Sequence, residues 1–246
     1  MSFISGILVC LVSCTMLAEG TSRLDELFAS WQQTQRTVRS LVVEFTLETQ
    51  DRVYNTWDKA TGTFRLLRTR KGEIFASYEV ITKKPKGDKS ERFSGLLNGG
   101  SIYLLNHDNK SAIRYEPAGG DVRGFLGTYW NPFVALLDRK RAQEKFEVKV
   151  IKQDEWYTYL AVKRRGKPQA WSINVDEGRV ALMNKASEGV PKGMPAQLWY
   201  TDGFHHVKFT INVWRMNAGA LNVEEFAKPE DRPGWVVLES AFRRKE

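Results

Sequence analysis

Residue types that could do chemistry are sparse in this chain. It has three histidines, and two of them, His205 and His206, are adjacent in a segment that alternates like a strand. Adjacent strand residues point to opposite faces, so the pair cannot chelate one metal ion. His107 lies in a polar turn, and the sequence has neither a Gly-x-Ser-x-Gly nucleophile elbow nor a phosphate loop. The sequence therefore predicts no catalytic residue, no metal site and no cofactor.

Three acidic pairs keep a hydrolase open as an alternative function. Asp154-Glu155, Asp176-Glu177 and Glu224-Glu225 all fall in predicted turns. The two carboxylates of a glycosidase meet only in space, so sequence spacing cannot select a pair here. We expect a protein that is not an enzyme, and we keep an unrecognised hydrolase as a remote alternative.

The chain begins with an apolar leader. Residues 3–18 are almost wholly apolar, and this run is too short to span a membrane. Ala18-Glu19-Gly20 fits the small-x-small cleavage pattern, which predicts a signal peptide over residues 1–20 and a single domain over residues 21–246. We therefore expect an exported protein of the periplasm or cell envelope.

The leader also contains a second candidate processing site. Leu11-Val12-Ser13-Cys14 resembles the lipobox of bacterial lipoproteins, so Cys14 is the alternative site of lipidation and the protein would then be lipid-anchored. The two cysteines, Cys10 and Cys14, both lie in the leader. The domain itself therefore contains no internal disulfide and must be stabilised by a packed core.

The formal charge of +8 over 246 residues limits the class of partner. An excess of positive charge suits anionic lipid headgroups, envelope polymers or acidic proteins. Nucleic acid would suit the charge but not an exported protein, so we do not expect it as a partner.

Apolar periodicity predicts the elements that position these residues. Residues 22–39 carry Leu24, Leu27, Phe28 and Trp31 at helical spacing, which predicts one amphipathic helix. From Leu41 onward the period changes to two, which predicts strands. Strands are predicted over residues 41–48, 61–69, 73–82, 92–97, 101–106, 111–116, 146–153, 156–164, 170–175, 178–185, 196–202, 205–215 and 235–240.

Short breaks between these strands predict antiparallel hairpins, because a parallel crossover needs about a dozen residues or more. A sheet of about ten strands does not stay flat and open. The predicted fold class is therefore α+β and mainly β, with one large curled antiparallel sheet that forms an incomplete barrel. Helices over residues 22–39 and 131–145 are expected to cover its concave face.

Aromatic and aliphatic side chains on these elements predict where an apolar ligand would bind. A chain with eight tryptophans has two explanations, a large closed core or a cavity for an acyl chain. Both stay open at the level of sequence. The candidate cavity residues are Trp31, Phe45, Leu47, Phe64, Leu66 and Tyr78.

Several short motifs occur in an order that is typical of one family. Gly62-Thr63-Phe64 opens a strand that ends in a basic turn at Arg68, a glycine hairpin follows at residues 97–103, and a segment reading Asn-Pro-Phe-Val-Ala-Leu-Leu occupies residues 131–137. In this order the chain resembles the LolA/LolB-like lipoprotein-carrier proteins of bacterial envelopes. Within that pattern it is most similar to exported planctomycete proteins of the same type.

The resemblance implies a function and a role for one residue. It implies a non-enzymatic envelope protein that binds lipoprotein or lipid acyl chains, as in outer-membrane lipoprotein sorting. Arg68 matches the family's arginine that holds a helical lid over the lipid cavity. The same fold also serves as an envelope-stress sensor or protein-interaction module, so a membrane-associated protein is the alternative partner.

Overall fold

The computed structural model describes residues 24–30, 33–34, 36–82, 90–116, 146–166, 177–201, 204–217, 219 and 221–239. Cys14 and the predicted signal peptide lie outside these ranges, as do the predicted helix at 131–145 and the predicted strand at 170–175. In the ranges that are described, no helix is both long enough and apolar enough to cross a membrane.

The described residues contain one sheet of 12 strands. Strands such as Tyr157–Arg164 and His205–Met216 alternate between buried and accessible side chains, the period-two pattern on which the sequence prediction rests, whereas Glu91–Asn98 and Glu177–Met183 each contain four consecutive buried residues. The strands are β1 (Ser40–Asp51), β2 (Thr56–Arg68), β3 (Ile74–Thr82), β4 (Glu91–Asn98), β5 (Ser101–Asn106), β6 (Ser111–Tyr115), β7 (Phe146–Gln153), β8 (Tyr157–Arg164), β9 (Glu177–Met183), β10 (Pro195–Thr201), β11 (His205–Met216) and β12 (Val236–Glu239).

Two meanders meet at the centre of the sheet. Their spatial order is β12-β6-β5-β4-β3-β2-β1-β11-β10-β9-β8-β7, so β1 pairs with β11 and the first and last long strands of the chain are neighbours. The sheet is not closed into a barrel, which agrees with the predicted incomplete barrel. The expectation that all pairs would be antiparallel is wrong at β12, which pairs parallel with β6. After β11 the chain crosses one face of the sheet and enters the far edge in the direction of β6.

Helical coverage in the described part of the chain comes from one element. Residues 24–30, 33–34 and 36–37 are helical and form the N-terminal helix, the one α-helix in the part of the chain that is described. The second predicted helix, at residues 131–145, lies outside the described residues, so the expectation of two helices over the sheet is overstated for the part that is described. The amphipathic pattern of the N-terminal helix is confirmed, because Phe28 is buried and Leu24 and Leu27 pack beside it.

The sheet has a large core on the side that receives this helix. We call this side the helix face; from β1 it takes Leu41, Val43 and Phe45, which join Phe28 in one buried cluster. The cluster extends across both meanders, from Leu97 on β4 to Leu160 on β8. Period-two alternation places every second residue of these strands on this face.

A smaller core lies on the opposite face and holds the crossing segment in place. Phe226 is fully buried there against Phe75 and Leu96. Phe226 is the last residue of a short 3-10 helix, Val223–Phe226. Asn222 caps this helix in a capping box, in which its side chain accepts a hydrogen bond from the Glu225 backbone N–H. The Asn98 side chain also donates to the Phe226 carbonyl at 2.7 Å. We call residues 221–235 the strap.

Candidate hydrophobic ligand site

A row of aromatic rings crosses the helix face. From β4 to β10 the rings are Phe93, Tyr78, Phe45, Phe209 and Tyr200, and successive centroids are 6.4, 5.7, 5.4 and 6.3 Å apart. Aromatic pairs at these separations contribute beyond their buried area. We call these five residues the aromatic row.

Glycine makes the centre of the row possible. Phe45 on β1 and Tyr78 on β3 are separated by β2, yet their rings stack at an interplanar angle of 19°. Phe45 lies opposite Gly62 in the β1–β2 register. A Cβ at Gly62 would lie 2.2 Å from the Phe45 ring and 2.9 Å from the carbonyl oxygen of Glu79. The ring therefore occupies the space over β2 that any side chain at this position would fill.

Two other rings of the row also lie opposite a strand glycine in the register. Tyr78 lies opposite Gly95 on β4, and Tyr200 lies opposite Gly178 on β9. A Cβ at Gly178 would lie 2.7 Å from a backbone oxygen and 3.3 Å from the Tyr200 Cβ. At Gly62 ring atoms fill the space of the missing side chain, whereas at Gly178 the nearest atoms are the Trp199 backbone oxygen and the Tyr200 Cβ.

The row contributes polar atoms as well as apolar surface. Burial raises the pKa of the Tyr78 hydroxyl, and the nearby Tyr200 raises that pKa further. Burial acts in this direction because it disfavours the phenolate. The Tyr78 hydroxyl is therefore neutral at physiological pH and is not suited to acid–base chemistry.

Most of the sequence-predicted ligand residues share the helix face. Phe45 and Phe64 are buried in its core, and Leu47, Leu66 and Tyr78 are partly buried against that core. Whether they contact a ligand stays a prediction. Trp31 lies outside the described residues.

The sequence analysis missed three members of the row. Phe93, Phe209 and Tyr200 lie on strands that were predicted, and each alternates onto the helix face. For Tyr200 the signal is the glycine opposite it, Gly178 on β9, whereas Phe93 and Phe209 lie opposite Val80 and Leu198 and have no such signal. Reading that signal requires the strand order, which the sequence alone does not supply.

Arg68 lies where the helix joins the sheet. It follows Phe64 and Leu66 on the helix face by strand parity, and its partner in the register is Ile74, which packs against the same core. The backbone N–H of Arg68 donates to the carbonyl of Arg39 at 2.7 Å, directly before β1. Its predicted lid-holding role stays a prediction.

Asn217 fixes the segment between the helix and β1. Its Oδ1 accepts from the backbone N–H groups of Arg39 at 2.7 Å and Ser40 at 3.2 Å. Its Nδ2 donates to the carbonyl of Thr37 at 3.1 Å, in the last turn of the helix. Asn217 has a φ of 55°, a left-handed conformation that asparagine tolerates better than most residues. The end of β11 therefore sets where the helix leaves the sheet.

A serine–histidine pair lies under the strap on the opposite face. His107 Nε2 and Ser94 Oγ are 2.9 Å apart, and the His107 ring meets the Trp235 ring edge-on at 5.4 Å. Burial, together with the Arg92 guanidinium, lowers the pKa of His107. A nucleophile needs an accessible oxygen, but Ser94 is buried. The contacts of His107 with Ser94 and with Trp235 therefore hold the strap against the sheet, and the pair is structural.

Metal ligands were sought among the same residues. Within the described ranges, no group of His, Cys, Asp and Glu is arranged to hold a metal ion. His205 and His206 are consecutive in β11 and therefore point to opposite faces.

No protein-family profile and no curated protein matches the chain. Among solved structures, it is similar to LprF from Mycobacterium bovis, with 11% identity, a TM-score of 0.41, and coverage of 85% of this chain and 98% of that one. It is also similar to a DUF1329 family protein from Desulfovibrio piger, with 8% identity, a TM-score of 0.42, and coverage of 84% and 96%. A domain assigned to outer membrane lipoprotein sorting from Vibrio parahaemolyticus has 10% identity and a TM-score of 0.35, with coverage of 85% and 96%. The closer likeness to planctomycete proteins stays a prediction.

Proposed function

We propose that this protein is a non-enzymatic envelope protein that binds a hydrophobic ligand, the acyl chains of a lipid or lipoprotein, on the helix face. The observation that carries the proposal is the aromatic row, in which the Phe45 ring lies over β2 where Gly62 leaves room for it. A ligand covering the row would bury accessible apolar surface, since Phe93 at one end is 51% exposed. Each buried methylene contributes about 0.8 kcal/mol, so an acyl chain needs no charged partner to bind.

The N-terminal helix is the element that would cover such a ligand. It packs on the helix face through Phe28, and its exit is held by the Asn217 side chain. Arg68 lies on the same face beside that exit, which supports the role that the resemblance implies for it. In this proposal the helix is the lid, and Asn217 and Arg68 set its position.

Binding of two probes tests the proposal. The exported protein, carrying Cys14→Ala so that no lipid anchor contributes, is titrated with palmitate and with a diacylated lipopeptide, and complexes are counted by native mass spectrometry. We expect one saturable complex. Phe93→Ser should weaken it several-fold, because the row loses its accessible ring. Ile151→Ser is the matched control, since Ile151 is 50% exposed but lies on the edge strand β7.

Two results would overturn the proposal. If neither probe binds, the protein is not a binder of acyl chains. If Phe93→Ser and Ile151→Ser weaken binding equally, the aromatic row is not the binding site. A stable envelope protein recovered with the chain, in place of any lipid, would instead favour the sensor or interaction module.

A further inference from the structure

Large apolar side chains are exposed together at one end of the sheet. Val53 is 69% exposed, Tyr54 77%, Trp57 62% and Phe204 66%. The first three belong to the turn between β1 and β2 and to the start of β2, and Phe204 directly precedes β11. We call these four residues the apolar tip. Exposed apolar groups are unremarkable singly, but a contiguous set marks an interaction surface.

Backbone contacts bring the two parts of the tip together. The β1–β11 register reaches its end at Asp51 and His205, and the N–H of Arg52 donates to the carbonyl of Phe204 at 2.9 Å. Phe204 therefore lies beside the β1–β2 turn although about 150 residues separate them in the chain. The tip is a product of the fold and not of one apolar stretch of sequence.

The turn that carries the tip is internally ordered. Asp51 Oδ1 accepts from the N–H groups of Val53 at 2.8 Å and Tyr54 at 3.0 Å. Gln50 Nε2 donates to Asn55 Oδ1 at 2.8 Å, and Asn55 has the positive φ of 52° that a tight turn requires. A turn held by its own hydrogen bonds presents these side chains in a fixed arrangement.

Residue chemistry and charge indicate what this surface meets. Tyrosine and tryptophan have apolar bodies and polar ends, which suits the headgroup region of a bilayer. Of the acids near the tip, Asp58 directly follows Trp57, and Glu48 is flanked by Lys59 at 3.5 Å and Lys208 at 3.4 Å. Asp51 is engaged by its own turn. The whole chain carries +8, so an anionic membrane surface attracts it.

We propose that the apolar tip docks the protein on an anionic phospholipid bilayer, with Val53, Tyr54, Trp57 and Phe204 inserted among the headgroups. This docking site goes beyond ligand binding and does not depend on it. Its position is nevertheless connected to the aromatic row, because Tyr200 is the penultimate residue of β10, the strand that ends three residues before Phe204. A docked tip would therefore bring one end of the row close to the membrane.

Vesicle flotation tests the docking site. The exported protein carrying Cys14→Ala is floated with vesicles of phosphatidylcholine and phosphatidylglycerol, and with phosphatidylcholine alone. We expect flotation with the anionic vesicles, weakened by added salt because ionic strength screens the attraction. Tyr54→Ser/Trp57→Ser should lower partitioning about tenfold or more, since two large apolar groups no longer enter the interface.

A matched double variant controls for the loss of exposed apolar surface in general. Ile151→Ser/Trp156→Ser removes side chains that are 50% and 51% exposed, far from the tip, and should partition like the wild type. All variants are checked by thermal melting, and exposed positions should leave the midpoint nearly unchanged.

Separate readouts distinguish docking from ligand binding. The tip variant should still bind palmitate, and Phe93→Ser should still float with vesicles. The docking proposal is overturned if the wild type does not float, or if both double variants lose flotation equally. It is also overturned if light scattering shows a dimer that the tip variant converts to monomers while vesicles are not bound, because the tip is then an interface between copies of this chain.

Discussion

Gly62→Ala probes whether the helix face is arranged around the Phe45 ring. The added methyl group would lie 2.2 Å from the ring and 2.9 Å from the Glu79 carbonyl oxygen, so the side chain must move and the backbone must adjust slightly. The ring cannot keep its present place over β2. Its stacking on Tyr78, now at 5.7 Å, should therefore be lost or weakened.

The expected cost follows from three effects. Overpacking of a core costs about 1–3 kcal/mol, and weakening of an aromatic pair costs about 0.5–1.5 kcal/mol. Replacing a strand glycine returns about 0.5–1 kcal/mol, because alanine loses less backbone entropy on folding. We expect Gly62→Ala to lower the free energy of unfolding by about 1–3 kcal/mol. Palmitate binding should weaken with it.

A double-mutant cycle with Phe45→Leu tests the cause. Leucine has no ring over β2, so Gly62→Ala should cost about 1 kcal/mol less in that background. Rescue is expected to be partial because the contact with the Glu79 carbonyl remains. Thr61→Ala, at an exposed position on the same strand, is the control for a general effect of alanine on β2. Urea unfolding measures all variants; additive costs, or a Gly62→Ala cost no larger than that of Thr61→Ala, would refute the reasoning.

Three further predictions concern other parts of the chain. Asn217→Ala should lower the free energy of unfolding by about 1–3 kcal/mol and speed amide exchange at residues 37–40, because three hydrogen bonds and a residue suited to a positive φ are lost. Asn217→Asp should lower the free energy of unfolding less, since it retains the acceptor oxygen. Equal losses for the two variants would contradict the role of that oxygen in holding Arg39 and Ser40. The pKa of His107 is held below the ordinary value of 6.5, so its contribution to stability is fully present above about pH 6.5 and is lost as the pH falls below it. Unfolding midpoints should show that loss, and His107→Gln should remove it. N-terminal sequencing of the exported protein should begin at Thr21; palmitate label that enters the wild type but not Cys14→Ala would show lipidation instead.

Strands whose own residues carry the period-two pattern were predicted closely. β7 has the bounds that its alternation indicated, and β5 also has its predicted bounds although it is apolar at consecutive positions and buried on both faces. β2 begins at Thr56 rather than at residue 61. Its first residues are exposed on both faces, and pairing with the end of β1 holds them in the sheet. A local sequence pattern cannot predict a strand segment that is held in the sheet by pairing with a neighbouring strand.

Features that depend on strand order could not be predicted. The parallel pairing of β12 follows from the strap crossing the sheet, and the strap is fixed by contacts such as Asn98 with the Phe226 carbonyl, 128 positions apart in sequence. Phe45 and Phe209 become neighbours because β1 pairs with β11. The hydrogen bond from the Arg39 N–H to the Asn217 side chain likewise joins positions 178 residues apart. The sequence predicted the strands and the face on which each side chain lies, whereas long-range pairing decided which side chains meet.

Glycines along the aromatic row bear on the choice between a closed core and a ligand site. A glycine inside a strand costs about 0.5–1 kcal/mol relative to alanine. A core selected for stability alone would place side chains at Gly62, Gly95 and Gly178 and direct the aromatic rings elsewhere. Each of these glycines lies opposite an aromatic residue in the register, but ring atoms fill the space of the missing side chain at Gly62, whereas at Gly178 the close atom is the Trp199 backbone oxygen. Room for the Phe45 ring is a reason to retain Gly62, and the exposed Phe93 ring with the partly accessible Tyr78 and Tyr200 rings is the part of the row that an acyl chain could cover. This is why we favour the ligand site over the closed core.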